Sequence, residues 1–436
     1  MPPSIADLVR NAGVVGAGGA GFPTWAKLSS RVDTCLVNAA ECEPLLYKDK
    51  ELCRLEAKRL VDGLRLAMEA TGATRGIVCI KEKAHDAIRA IEPFVMGPIH
   101  LHRLGDFYPA GDEVVLVFEV TGRLVPPGGL PLHVGCLVNN VETLVNVSRA
   151  AEGIPVTTKA LTITGAVAEP ASFVVPLGIS VREVLEAAGG ATVPDGVAIE
   201  GGAMMGRVVL DAPVTRTTGG YVVLDRSHAL VRRLLRPDEV HVRIARSACD
   251  QCAFCTELCP RYLLGYAVEP HKVMRSVGFA GEKAAAWNAW GLLCCECGLC
   301  DLFACPEDLP PRRMCVAAKA AAAGHAATPP PSRGQPHPLR EARRVPTARL
   351  VERLGLAPYD RPAPMRPFPG LPSRVFLPFQ QHVGVPAAPV VRVGDRVRVG
   401  QVVAAVDRGA LGVDIHASID GRVTAIEAGG LRIERE

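Results

Sequence analysis

The chain has 436 residues, a formal net charge of +4, 22% charged residues and only 5% aromatics. So small a charge over so long a chain argues against a nucleic-acid or membrane-surface partner, and no run approaches the roughly 18 apolar residues of a membrane span. The length suits about three or four domains, the first residues lack the basic and apolar regions of a signal peptide, and 15 cysteines, an odd number, suit reduced thiols and metal ligands in a cytoplasmic protein better than a disulfide framework.

In chain order, a short helix is expected from Ser4 to Asn11, capped by Ser4, with Ile5, Leu8 and Val9 on one face. Gly16-Ala-Gly18-Gly19-Ala-Gly21-Phe22 follows and satisfies G-x-G-x-x-G. A helix rather than a strand precedes it, which argues against a Rossmann dinucleotide site. The glycines still let the backbone approach a flat or phosphorylated ligand closely, and Lys27 can meet its charge; a flexible turn is the plain alternative. Thr34 to Asn38 reads as an apolar strand running into Glu41-Cys42-Glu43-Pro44 and Tyr47-Lys48-Asp49. Carboxylates and an amide at a strand's C-terminal end sit where open α/β sheets take ligands, although a solvated acidic loop would read the same way. Residues 52–71 are expected as one amphipathic helix with Leu55, Leu60, Leu64 and Met68 inward, residues 76–80 as a buried strand and 85–91 as a helix, hence an α/β domain. Tyr108-Pro-Ala-Gly111-Asp112-Glu113 leads into an apolar run. Asn139 and Asn140 can hydrogen-bond a flavin ring or a phosphate, or cap the helix after them.

Strand, strand, helix and strand patterns over residues 161–202, with Ser180 opening the helix and a fourth strand at 221–224, suggest a ubiquitin-like α+β unit. Gly201 to Gly206, with Met204 and Met205, reads as a packing corner. Nine cysteines then fall between Cys249 and Cys305. Cys249-x2-Cys252-x2-Cys255-x3-Cys259-Pro260 is the bacterial ferredoxin pattern, and Cys294-x2-Cys297-x2-Cys300-x4-Cys305-Pro306 repeats it with one extra residue. Paired zinc sites need only C-x2-C pairs. A third cysteine at the same spacing and a closing Cys-Pro, each given twice, point to two [4Fe–4S] clusters. By the two-cluster rule one cluster takes Cys249, Cys252, Cys255 and Cys305, and the other Cys294, Cys297, Cys300 and Cys259. Cys295 and Cys315 are spare, and Cys35, Cys42, Cys53, Cys79 and Cys136 read as small buried residues. Residues 262–286 and 311–323 are expected as helices, with Trp287 and Trp290 sealing the clusters from water.

Residues 326–338 are Pro-rich and read as an extended linker, and residues 339–356 as a basic segment broken at Pro346. From Val390 to Ile426 the pattern alternates and turns at Gly394-Asp395, resembling the barrel-sandwich hybrid of biotinyl and lipoyl carriers. Those carriers attach their cofactor to a lysine, and no lysine follows Lys319, which argues against carrier function. Asp414-x-His416 resembles the start of the D-x-H-x-x-G cobalamin motif, but Gly421 comes two positions late, and the match reads as coincidence.

The segments Gly16 to Lys27, Asn38 to Asp49, Tyr108 to Glu113 and Asn139 to Leu144 stand in the order found in a known superfamily. The first half of the chain resembles the NADH-binding flavoprotein subunit of respiratory complex I and the C subunit of the sodium- or proton-pumping ferredoxin–NAD oxidoreductase. The resemblance implies FMN contacts at Gly16, Gly18, Lys27, Asn38, Glu43, Tyr108, Gly111, Glu113, Asn139 and Asn140, and NADH stacking near Phe22 and Glu43. The chain departs from the complex I pattern at Ala17 and Asp112, where that flavoprotein has Arg and Glu. With the barrel-sandwich unit C-terminal, the whole chain resembles the cobalamin reductases of propanediol-utilising bacterial microcompartments.

The implied architecture is a multidomain α/β chain. A Rossmann-like FMN/NADH domain (1–152) is followed by a soluble-ligand-binding (SLBB-type) β-grasp module (153–236) and a helical two-cluster ferredoxin-like domain (237–325). A linker (326–372) and an all-β barrel-sandwich hybrid (373–436) complete it. The implied function is FMN- and [4Fe–4S]-dependent electron transfer from NADH to an external corrinoid, reducing cob(III/II)alamin to reactivate a B12-dependent diol dehydratase. The implied partners are the corrinoid or a corrinoid adenosyltransferase and microcompartment proteins, and the implied location is the cytoplasm or a microcompartment within it. The other reading is an electron-transfer subunit of a larger ferredoxin–NAD oxidoreductase assembly, without a terminal substrate of its own.

Overall fold

Strand β1 (Thr34–Ala39) is flanked by β2 (Arg75–Lys81) and β4 (Cys136–Asn140), with β3 (Ile99–Leu104) outside β2. All pairs are parallel, in the order β3-β2-β1-β4. Strands covered on both faces need unbroken apolar runs, and Leu36-Val37, Ile77-Val78-Cys79-Ile80 and Leu137-Val138 supply them, all buried. Strand order reverses between β1 and β4, so the crevice for a ligand opens at their C-terminal ends. The register sets Val37 opposite Asn139 and Asn38 opposite Asn140. This computed structural model describes residues 3–278, 286–322 and 328–436.

Helices α1 (Ile5–Asn11), α2 (Thr24–Leu28), α3 (Lys48–Leu55), α4 (Ala57–Thr71), α5 (His85–Ile91), α6 (Glu113–Thr121) and α7 (Val141–Ala151) surround the sheet. Ser4 opens α1 through a reciprocal capping box with Asp7. The single helix expected over 52–71 is two, broken at Glu56 (φ −115°, ψ 25°). The Glu56 carboxylate is held by Arg149 at 2.8 Å and faces Arg59. The break resets the helical phase and leaves Leu55, expected inward, 52% exposed. Sequence patterning also passed over β3, whose Ile-His-Leu-His-Arg-Leu alternation belongs to a half-covered edge strand.

The next unit is a five-stranded sheet in the order β6 (Ala171–Pro176), β5 (Thr158–Gly165), β9 (Gly220–Asp225), β7 (Gly196–Glu200), β8 (Arg207–Val209). Its central β5–β9 pair is parallel, and a helix over Val181–Ala187 is opened by a capping box between Ser180 and Glu183. The short β8, unanticipated from sequence, makes a hairpin with β7 across the Gly201–Gly206 corner. Helices Asp238–Ala248, Pro270–Gly278 and Pro311–Ala322 pack around the thiol loops. Residues 279–285 of the helical reading over 262–286, Ala323 of the next helix, and residues 326 and 327 of the linker lie outside the described residues.

The described part of the expected linker is a strap held by the other units. The backbone N–H groups of Arg333 and His337 donate to the Gly265 and Leu263 carbonyls at 2.7 and 2.8 Å. Arg340 and Arg344 both clasp the half-buried Glu119 on α6. Val345 bridges Tyr108, and the Ser172 hydroxyl donates to the Ala363 carbonyl at 2.9 Å. Pro346 does not break a helix; it stands at the N-cap of Thr347–Arg353, whose Leu350 and Val351 are buried. Composition reveals that such a segment is extended but not which surface satisfies its backbone.

The C-terminal unit pairs two sheets. One orders Arg374–Pro378, Gly430–Glu434, Gly421–Glu427 and Arg396–Val397, and the other Ala388–Pro389, Val402–Ala405 and Ile415–His416. It closes on the Gly-rich loop. Trp25 Nε1 donates to the Gly412 carbonyl and the Val383 N–H to the Gly21 carbonyl, both at 2.9 Å. At this junction Arg216 is 2% exposed and donates to the Asp414 carbonyl at 2.7 Å, while its Nε and Nη1 find no partner among the described residues. His416, 3% exposed, is pushed down to about 4, first by burial and then by the Arg216 charge.

His416 of the DxH triplet therefore faces a buried arginine and not a ligand crevice, and it imposes a pH dependence. Its folded pKa lies below the unfolded value near 6.5, so the unfolded chain binds the proton more readily. Stability should fall as pH drops from about 6.5 towards 4, by roughly 3 kcal/mol in all. Thermal melts across that window should slope less steeply for His416→Leu than for the parent; equal slopes would contradict the assignment. No helix among the described residues is long and apolar enough to cross a membrane.

Candidate functional site: a flavin cleft joined to two thiol sets

The residues singled out for a flavin converge at the ends of β1 and β4. Asn38 Nδ2 donates to the Gly111 carbonyl at 2.8 Å, and the Gly111 N–H donates to Cys42 Sγ at 3.0 Å. The Gly-rich loop is pinned by Gly16 N–H to the Phe22 carbonyl at 2.9 Å and by Ala17 N–H to Thr143 Oγ1 at 2.9 Å. Gly18 lies against the Asn140 side chain, and Phe22 is half-buried. Lys27 Nζ donates to the Val138 carbonyl at 3.1 Å and pairs with Glu113, the first residue of α6, at 3.3 Å. Asn140 caps α7, accepting from the Glu142 N–H at 3.0 Å, and also donates to Asp49 Oδ2 at 2.8 Å. Asn139 is buried and stands opposite Val37 at the end of β4. Two strand-end amides, a Gly-rich loop and an ammonium brought together fit a flavin bearing a phosphate.

Glu43 is turned elsewhere. Its carboxylate accepts the Met204 and Met205 N–H groups at 2.8 and 2.9 Å, and burial pushes it up to about 7 against those bonds. The Gly201–Gly206 corner is thus a docking point for the first domain as well as a packing feature.

Sequence reasoning missed an ionic cluster under the Gly-rich loop. Lys159, on β5, pairs with Glu142 and donates to the Ala17 carbonyl at 3.3 Å. Lys48 pairs with Asp49 at 2.6 Å and with Glu142 at 3.4 Å, and all four residues are buried. The available signal was Lys159 itself, a lone cation in an apolar strand.

The two cysteine motifs fold alike. Gln251 and Ala253 have φ +62° and +66°, and their counterparts Glu296 and Gly298 have +60° and +82°. These left-handed residues flank Cys252 and Cys297 and turn successive thiols inward; Gly298 adopts the conformation freely, whereas Ala253 does so at a steric cost. The match pairs Cys249 with Cys294, not Cys295. Cys249, Cys252, Cys255 and Cys305 line one pocket, a thiol-walled space that suits an iron–sulfur cube. Cys259 packs instead with Cys294 in a core shared with the flavin domain, and Cys297 and Cys300 are buried beside it. Trp290 packs beside Cys249, Cys294 and Cys305, with the Lys272 ammonium 3.3 Å above its ring; Trp287 lies under Arg275.

The comparisons with known proteins follow the same division. Residues 9–149 match the Nuo51 FMN-binding domain, 161–208 the SLBB domain, 248–310 a 4Fe-4S dicluster domain and 363–432 the RnfC barrel sandwich hybrid domain. The chain is therefore a flavin and iron–sulfur oxidoreductase. It is 44% identical to cobalamin reductase PduS of Citrobacter freundii and 45% identical to that of Salmonella typhimurium strain LT2, in each case over 99% of this chain and 96% of the relative. It belongs to the cobalamin reductase PduS family. Similarity also extends to a component of the Na(+)-translocating ferredoxin:NAD(+) oxidoreductase complex of Acetobacterium woodii, 34% identical over 60% of this chain and 58% of that component.

Proposed function

We propose that the chain carries electrons from NADH to a corrinoid bound outside it, reducing the cobalt so that a B12-dependent enzyme can be reactivated. The observation that carries this reading is the convergence of Asn38, Gly111, Lys27, Asn139 and Asn140 at the β1/β4 crevice, adjoining two thiol loops in one chain. FMN accepts two electrons as a hydride and two [4Fe–4S] clusters accept them one at a time, which matches a two-electron donor to a one-electron metal acceptor. Gly16 and Gly18 give the ring close access to backbone, Lys27 and Glu113 fix its polar end, and the Asn139 amide supplies a hydrogen-bonding group. Tyr108, Gly111 and Asn38 form the wall towards the thiol loops. Phe22 offers the nicotinamide a stacking face, beyond which the Glu43 carboxylate is held by the Met204 and Met205 N–H groups.

The thiols of Cys249, Cys252, Cys255 and Cys305 hold one cluster, and those of Cys259, Cys294, Cys297 and Cys300 the other. A corrinoid adenosyltransferase and microcompartment proteins are the proposed partners. Protein purified without oxygen should carry one FMN and about eight irons per chain, and NADH should bleach both chromophores. Fully loaded protein that NADH leaves unbleached would overturn the donor.

Gly21 offers a test of the flavin loop. It sits at φ +66°, and a Cβ there would lie 2.8 Å from Thr217 Cγ2 and 3.3 Å from His382 Cα. Gly21→Ala should cost about 1–2 kcal/mol at the loop and weaken FMN binding about tenfold, read by flavin fluorescence on titration into apoprotein. Unchanged affinity would separate the loop from the flavin.

A further inference from the structure

We infer that the two thiol sets have fixed and different places in the electron path: Cys259, Cys294, Cys297 and Cys300 receive electrons from the flavin, and Cys249, Cys252, Cys255 and Cys305 deliver them to the acceptor at the Cys252–Phe254 surface. This rests on the flavin and cluster assignments above and adds their order.

Three independent contacts join the flavin cleft to the receiving set. The Tyr108 hydroxyl, on a side chain 3% exposed, donates to the Cys297 carbonyl at 2.7 Å. Asp112, the cap of α6 beside Glu113, accepts from Arg261 at 2.8 Å, and Arg261 stands two residues beyond Cys259. Glu43 holds the Met204 N–H, while Arg312 donates to the Met204 carbonyl and that carbonyl packs against Gly298.

Side-chain packing divides the same way except at Cys294, which borders the cores of both sets. Cys259 and Cys294 share a core with Leu36, Phe107, Val115 and Val138 of the flavin domain, and Cys297 shares one with Leu45, Leu46 and Tyr108. Cys249 and Cys305 pack with Ala245, Val273, Met274, Leu309 and Met314, all from the cluster domain. Electron tunnelling falls off steeply with distance, so the set bonded to the flavin wall is the one that receives.

The far set opens outward. Cys252 is the one exposed cysteine of the eight, and Phe254, two residues on, is 50% exposed. Cys297 and Cys300 are buried. An acceptor approaching from solvent therefore meets the delivering set. The electrons balance as NADH + 2 Co(III) → NAD+ + H+ + 2 Co(II), each electron crossing singly.

The test uses full-length protein loaded with FMN and iron, in two variants, Cys252→Ser/Cys255→Ser and Cys297→Ser/Cys300→Ser. Flavin is reduced by NADH in one arm and by light with EDTA in another, so that failure of NADH alone indicts the donor and leaves the order testable. In the first variant the remaining cluster should be reduced at the parent rate, by rapid-freeze EPR, while reduction of added hydroxocobalamin is lost. In the second the flavin should bleach while the remaining cluster stays oxidised. The opposite pattern, or equal behaviour of the two, would overturn the order. If a double variant sheds all its iron, single Cys252→Ser, whose serine oxygen can still ligate, marks the delivering cluster by a shifted EPR signal. The unshifted signal must then develop first, and the shifted signal developing first would overturn the order.

Discussion

Cys259→Ala is expected to strip iron from the site built by the second motif, although Cys259 ends the first. The cavity lined by the first motif is completed by Cys305 and not by Cys259. Cys259 is buried, its carbonyl accepts the Leu263 N–H at 2.9 Å, and it packs with Cys294 and Leu264 against Leu36 and Val138. It is close enough to Cys294 and Cys295 for their charges to raise its own pKa, on top of a larger effect of burial. Removing its thiolate should reduce iron from about eight to about four per chain and abolish cobalamin reduction while leaving flavin bleaching intact. Cys305→Ala should remove the other four. The two variants should therefore lose different EPR signals. Loss of the same signal from both would mean that each motif keeps its own fourth ligand.

Lys159→Met is expected to be the most damaging single change away from the cysteines. Lys159 and Glu142 are both buried and paired, and burial pushes Lys159 down to about 8 while Glu142 draws it back. The Glu142 carboxylate also accepts the Ala160 N–H at 2.8 Å and faces Lys48 at 3.4 Å. Deleting one partner of a buried pair leaves an uncompensated charge and costs about 3–5 kcal/mol, here partly relieved by Lys48. The lysine also holds the Ala17 carbonyl, so FMN affinity should fall with stability. Denaturant midpoints of the first transition should drop for Lys159→Met and recover in part in Lys159→Met/Glu142→Gln, where no lone carboxylate remains. A double variant no better than the single one would show that packing, not charge, is the cost.

What the sequence made legible was the chemistry that local spacing fixes. Cysteines at x2 intervals, glycines under a ring and amides at strand ends must be close in sequence because each group is held by one or two loops. The crossed fourth ligands were an expectation of the two-cluster rule, and Cys305 does line the pocket that Cys249, Cys252 and Cys255 form. The helix break at Glu56 was not, because Arg149 that holds it comes from α7. Nor was the strap: Arg344 finds Glu119 225 positions away, and a Pro-rich composition says nothing about that partner. The Lys159 cluster was largely hidden likewise, hinted at by one lysine in an apolar strand and meaningful only when β5, α3 and α7 meet. Glu43 shows the converse, a motif residue whose carboxylate the fold commits to the Met204–Met205 corner.

In the proposed function one chain takes two electrons from NADH and delivers them singly to cobalt. A single-turnover anaerobic mix of fully loaded protein with substoichiometric NADH and excess hydroxocobalamin tests it most directly. About two cob(II)alamin should form per NADH consumed, with flavin and cluster absorbance bleaching first and recovering as cobalt is reduced. NADH consumed with no cob(II)alamin formed, or cobalt reduced while both chromophores stay oxidised throughout, would contradict it.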